Sequence, residues 1–251
     1  MKLPLAVTTL QPDGLDAGDG KWRHLTLIVL FASCIGLSPG SVVAQVPPTT
    51  SEAAAYTGLH AAAQRGDVAQ IGALSAAKAD LNARDAYGRT PLHVATFARQ
   101  RAAIRALVEA GANPGLFEND RYDTVTIAAV ADDEETLRLL LALGASARLV
   151  TSRYDGTALI AAAHLGHDGI VKQLIAAGAP LDHVNNLRWT ALIEAIVLGN
   201  GGARHVETVR ALVAAGANSH LPDGQGATPL MLARSRRYAD MVQILEKAGA
   251  K

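Results

Sequence analysis

His164, His167 and Asp168 form an H-x-x-H-D cluster, the kind of grouping that can hold a divalent metal if both imidazoles share a helix face. Ser75 and Lys78 have the S-x-x-K spacing of serine acyl-transferring enzymes, but none of the companion motifs of that chemistry is present. The run Asp132, Asp133, Glu134, Glu135 could attract a cation; it reads better as a solvated turn whose last two acids favour the start of a helix through its dipole. A nucleophile elbow, a phosphate-cradling glycine loop and H-E-x-x-H are all missing. These features support no reaction, so the chain is expected not to be an enzyme and to need no cofactor.

The elements that carry these residues repeat. Residues 88–114 contain Thr90, Pro91, Leu92 and His93, then two short apolar patterns, then Gly111 and Ala112. Thr90 suits an N-cap and Pro91 the first helical position, where a missing N–H costs nothing. Ile104, Leu107 and Val108 recur at helical spacing, and Gly111 supplies the left-handed residue that ends a helix. Helices this short are marginal alone, below roughly 12–15 residues, so the unit needs neighbours. They are present, beginning at Thr57, Thr124, Thr157, Thr190 and Thr228, with Gly-Ala pairs closing units at Gly111, Gly144, Gly178, Gly216 and Gly249. A two-helix repeat of this period predicts a solenoid.

At these residues the chain resembles the ankyrin repeat family. The T-P-L-H-x-A signature is complete from Thr90 to Ala95 and lacks only proline from Thr57 to Ala62. The other copies keep Thr and an alanine five residues on, at Ala129, Ala162, Ala195 and Ala233. The glycine that ends the first helix in the family is read at Gly66, Gly166 and Gly199, and is replaced by Arg99, Asp133 and Arg237. The third copy is the weakest, with Thr126 and Ile127 in place of Leu and His. The fifth carries an insertion near Asn200–Arg204, placed between its helices. The resemblance implies an all-α ankyrin-repeat solenoid of about six helix-turn-helix repeats with short hairpin-like loops. Their bounds fall near 57–89, 90–123, 124–156, 157–189, 190–227 and 228–251, within a domain of 55–251 that ends complete in a polar capping helix.

Of the 251 residues 49% are apolar and 4% aromatic, and alanine is abundant, which suits close packing of thin helices. Acidic and basic residues balance at 23 each, so no basic excess recruits nucleic acid or a membrane surface. Residues 1–44 read as a secretory signal peptide: a basic flank at Lys21, Arg23 and His24, an apolar run from Leu25 to Leu37, and small residues at Val42–Ala44. A membrane-spanning helix needs about 20 apolar residues, more than this run supplies. The long acidic stretch before it, with Asp13, Asp16 and Asp19, suggests a translation start downstream of Met1. Cleavage after Ala44 is favoured over lipidation at Cys34, the one cysteine, and would leave a protein without disulfides. Residues 45–54 then read as a flexible leader, and the expected location is the periplasm of a Gram-negative bacterium.

The resemblance also implies which positions are free to bind. Hairpin tips and the exposed side of each first helix line a concave surface in this family. By register that surface holds Tyr87, Arg89, Phe97, Arg121, Tyr122, Arg153, Tyr154, His164, Leu187 and Trp189, with Leu165 and Leu198 beside them. Tyr, Trp and Arg dominate interface energies, and no folding rule asks for aromatics on successive tips. His60 and His93, in the T-P-L-H slot, are expected to bond across to the neighbouring repeat. The expected function is binding of another protein by a monomeric array, as helper of a periplasmic enzyme or as a toxin-neutralising protein. The alternative is a small-molecule or metal sensor centred on His164 and His167. Against it, Gly166-His167 matches the family's turn between helices, which would separate the two imidazoles.

Overall fold

The computed structural model describes residues 45–251; the expected signal peptide and Cys34 lie outside the described residues. A short helix α1, Thr50–Ala55, precedes six helix pairs. These are α2 (Gly58–Arg65) with α3 (Val68–Ala76), α4 (Pro91–Phe97) with α5 (Arg101–Glu109), α6 (Thr124–Val130) with α7 (Glu134–Ala142), α8 (Ala158–Leu165) with α9 (Asp168–Ala176), α10 (Ala191–Val197) with α11 (Ala203–Ala214), and α12 (Pro229–Ser235) with α13 (Ala239–Lys247). First helices pack on first helices and second on second, so the array has two helical layers with one continuous core between them. The all-α solenoid is therefore present, with a two-residue hairpin as its only sheet among the described residues.

Five of the six first helices start from a side-chain cap; Thr57, at the start of α2, makes no such bond. Thr90, Thr157, Thr190 and Thr228 accept a hydrogen bond from the backbone N–H three residues on. The third copy uses Asp123, whose carboxylate takes the Thr126 N–H at 3.0 Å. This moves the third repeat one residue from the register read in the sequence. Val125 and Thr126 fill the Leu and His slots, and Ala128, not Ala129, is its signature alanine. The threonine at position 124 misled the reading because either it or the aspartate before it can cap. The same correction applies where α6 ends: the left-handed residue is Asp132 (φ 52°), and Asp133 caps α7 instead. In the fifth repeat α10 ends at the C-cap Leu198 with no left-handed residue at Gly199; the positive φ falls at Gly201 (70°), inside the insertion and just before α11.

Between repeats, a side chain five positions before each N-cap organises the tip. Asp85, Glu118, Asn185 and Asp223 each accept backbone N–H groups two and four residues on, and their own N–H donates to the carbonyl four residues on. Ser152 does the first of these alone, bonding the Tyr154 N–H. Its tip has one extra residue and closes as a hairpin of β1 (Val150–Thr151) and β2 (Gly156–Thr157), paired Val150 to Thr157 and Thr151 to Gly156.

Successive tips are tied together. The N–H of Asn119 donates to the Tyr87 carbonyl, that of Ser152 to Arg121 and that of Asn186 to Tyr154. The signature histidines act across repeats as expected: His60 Nε2 meets the Arg89 carbonyl at 2.9 Å, and His93 Nε2 meets that of Tyr122 at 3.2 Å. Burial pushes the His93 imidazole down to about 4, so it stays neutral while it holds both this bond and the Thr90 cap.

Two segments differ from the sequence reading. The leader is partly ordered: Thr49 and Glu52 form a reciprocal capping box for α1, and Glu52 pairs with Arg89 at 3.2 Å. The insertion in the fifth repeat lies between its helices, as expected, and also lengthens the second helix. The helix α11 has 12 residues where α9 has 9. Its added turn carries Arg204 over the fourth repeat to Asp168 and on to Asp132 of the third, at 2.8 Å.

Leu107 has no exposed surface and Tyr154 is 47% exposed. The change Leu107→Ala should therefore cost about 2–5 kcal/mol in urea unfolding, against less than about 1 kcal/mol for Tyr154→Ala. Equal losses would show that the assigned register is wrong.

Candidate functional site

The tips and first helices form one face, and most of the residues assigned to it from sequence are there. Tyr87 (44% exposed), Tyr154 and Leu187 (46%) stand out from the first, third and fourth tips. Arg121 and Arg153 are exposed beside them but already engaged: Arg121 Nη1 pairs with Asp155 at 2.9 Å and Arg153 Nη2 with Asp120 at 3.2 Å. These crossed pairs join the second and third tips and leave the two guanidiniums nearly balanced. His164, Leu165 and Leu198 are exposed at the ends of their first helices. Phe97 and Trp189 are half-buried.

Two assigned residues do not belong to the surface. Arg89 is 1% exposed, held by Asp85 at 2.6 Å and by Glu52, with Tyr87 stacked over its guanidinium at 4.5 Å. It is the buried centre of the first tip, and a buried, doubly paired guanidinium cannot meet a partner. Tyr122 is 7% exposed and fills the space beneath its tip, its backbone N–H taken by Glu118. In both cases the residue next to the N-cap turns inward, a parity that tip register alone does not reveal.

The proposed metal pair is split by the fold. His164 lies in α8 and faces Glu194 of the next repeat. His167 is the N-cap position of α9, and its Nδ1 meets the Ala129 carbonyl of the previous repeat at 2.9 Å. Among the described residues no group of three or more His, Cys, Asp or Glu side chains comes together as a metal-ligand set. Asp133, read as part of a solvated acidic turn, is buried and bonded to Thr136 and Arg101.

Glu194 went unnoticed in the sequence. It sits in α10, 4% exposed, at a slot where the other repeats place apolar side chains or alanine. One carboxyl oxygen accepts from Asn185 Nδ2 at 2.9 Å, which steadies the fourth tip. The other, Oε2, has no hydrogen-bond partner and lies 3.5 Å from His164 Nδ1. Burial pushes the carboxyl up to about 7, against the pull of Asn185. Burial, and then the neighbouring His205, lower His164. The contact is therefore a carboxylic acid beside a neutral imidazole more than a formed ion pair. The signal that could have found Glu194 was an acid breaking the apolar pattern of a first helix.

Comparison with known proteins agrees with this architecture. The family described as ankyrin repeats (3 copies) matches residues 40–118 and 125–223. The Escherichia coli (strain K12) ankyrin repeat protein YahD is 36% identical over 190 residues, covering 75% of this chain and 94% of that protein. The mouse B-cell lymphoma 3 protein homolog is 30% identical over 187 residues, but the match spans only 42% of its length. Among solved structures, an ankyrin repeat domain from Acinetobacter baumannii AYE superposes with a TM-score of 0.73 at 44% identity, covering 77% of this chain and 98% of that one. A chain from the complex of a predatory endopeptidase of Bdellovibrio bacteriovorus with its immunity protein superposes with a TM-score of 0.59 at 25% identity, over 76% of this chain and 98% of that one.

The pH response of stability follows from Glu194. Its folded value lies above the usual 4.5, so the stability it lends is full below that value and is lost as pH rises to about 7. From about pH 5 to about pH 8 the wild type should lose up to about 3 kcal/mol relative to Glu194→Gln, read from urea unfolding at each pH. Parallel curves for the two proteins would mean that Glu194 is not held protonated.

Proposed function

The chain belongs to the ankyrin repeat family, and on that premise we propose that it binds another protein through the face made by its tips and first helices, without catalysing a reaction. Ankyrin repeats are protein–protein interaction modules. The observation that carries the reading here is the row of large side chains left in solvent on that face: Tyr87, Tyr154 and Leu187 on the tips, Leu165 and Leu198 on the first helices. Exposed apolar residues on one side of a monomer commonly mark a contact surface. The tips are fixed by their own hydrogen bonds and by bonds to the next tip, so little conformational entropy is lost when a partner docks.

The apolar run from Leu25 to Leu37, with small residues at Val42–Ala44, supports export to the periplasm. A partner there would be an exported enzyme or a delivered toxin. The similarity to a chain from an endopeptidase–immunity protein complex supports the second of these, neutralisation of a hydrolase. A metal-sensing role draws no support from His164 and His167, which face different repeats.

The test is capture from periplasmic extract by residues 45–251, beside a variant with Tyr87, Tyr154, Leu187 and Leu198 changed to Ala. All four are exposed, so the variant should keep the helical content of the parent, with a small drop in unfolding midpoint from loss of the Tyr87–Arg89 contact. A protein retained by the parent and lost by the variant is the expected result. Equal retention by both would place the contact elsewhere on the array.

A further inference from the structure

Glu194 costs the fold something it does not need. A glutamine would serve Asn185 equally well, and the corresponding residues of the other repeats are Ala61, Val94, Ile127, Ala161 and Leu232. A buried carboxyl oxygen with no donor is an expensive feature, and departures of this kind gather at working sites. The surroundings hold no cation to satisfy it. On α8 the one titratable side chain is His164. On α11, His205 bonds the His164 carbonyl at 3.0 Å, Arg204 is spent on Asp132 and Asp168, and Glu207 pairs with Arg210. On α12, Arg234 is taken by Glu246 at 2.7 Å. The loop contributes Asn185 alone, uncharged.

Leu198 follows Glu194 by four residues and so shares its side of α10, and Leu165 follows His164 at the end of α8; both are exposed. The cover is His164, whose own side chain is about half exposed and lies 3.5 Å from Oε2. We propose that Glu194 anchors a cationic side chain of the bound protein, an arginine guanidinium or a lysine ammonium, with His164 as the movable ring that covers the carboxyl until the cation arrives. Rotation of the exposed ring uncovers Oε2. The aliphatic stem of the incoming side chain then lies against Leu165 and Leu198 while its head reaches the carboxylate. Below neutral pH a proton competes for this place in the free protein; on binding it leaves to solvent and the cation replaces it. Binding at this subsite therefore strengthens as pH rises through neutrality. The inference rests on the concave-face reading of function, and names the chemistry of the partner at the fourth and fifth repeats.

The probe is n-butylguanidinium, with n-butylurea as its uncharged isostere, titrated into residues 45–251 while the Glu194 carboxyl and Asn185 side-chain amide signals are followed by NMR. Butylguanidinium should give saturable shifts at pH 8.5, with apparent affinity about tenfold or more weaker at pH 5.5. Butylurea should give none, and Glu194→Gln, which preserves the bond to Asn185, should abolish the response. An equal response to butylurea, a response that survives Glu194→Gln, no pH dependence, or no saturable shift at all would each overturn the proposal. Because the probe needs no protein partner, failure here with capture intact removes the anchor and leaves the concave-face reading standing. Guanidinium binding without capture does the reverse.

Discussion

A helix pair of 7 to 9 residues per helix leaves one flank of its apolar surface uncovered, and only the next repeat can cover it. The rest of the molecule is arranged to make that stacking exact in register. The buried leucine or valine two residues into each first helix sets the spacing of the layers, from Leu59 through Leu92, Val125, Leu159 and Leu192 to Leu230. In the first two repeats the side chain one residue further on reaches forward to the next tip, His60 to the carbonyl of Arg89 and His93 to that of Tyr122. In the third repeat Thr126 does this with Thr151 instead, and there the tip gains a residue and closes as a short hairpin.

Rigid tips follow from the same arrangement. A carboxylate or amide inside every tip but the third takes two backbone N–H groups, which leaves the outward side chains free of folding duties. Leu187 is exposed for that reason. At the first tip the duties extend further, since Arg89 ties the hairpin to α1 through Glu52, and Tyr87 covers it. The ionic contacts of the turns between helices do similar work on the other side of the array. Arg204 bridges three repeats at surface positions, and such exposed pairs are worth about 0–1 kcal/mol each, so they tune the stacking that apolar burial drives.

The sequence was most readable where one physical requirement selects few residue types. Thr90, Pro91 and Gly111 announce helix starts and stops because caps demand them, and six copies in phase make the solenoid legible. Reading failed by one residue at Asp123 and Asp132, where two adjacent residues could meet the same requirement and only the packing decides. It failed at Arg89 and Tyr122 because the type of a tip residue says nothing of which way it turns. Glu194 escaped because its significance lies in a contact across repeats, with His164 and Asn185, that no local pattern encodes. The short helix α1 escaped because its residues look like linker until Arg89 supplies a partner.

Binding by the concave face is the claim on which the functional account turns, and site-specific photo-crosslinking tests it directly. A benzophenone amino acid at Leu187, exposed on a tip, is compared with one at Arg138, exposed on the second helix α7. The account predicts that irradiation in the periplasmic fraction joins a partner to the Leu187 derivative and not to the Arg138 derivative. Crosslinks from Arg138 alone would show that the partner sits on the outer helices, and the concave-face account would be wrong.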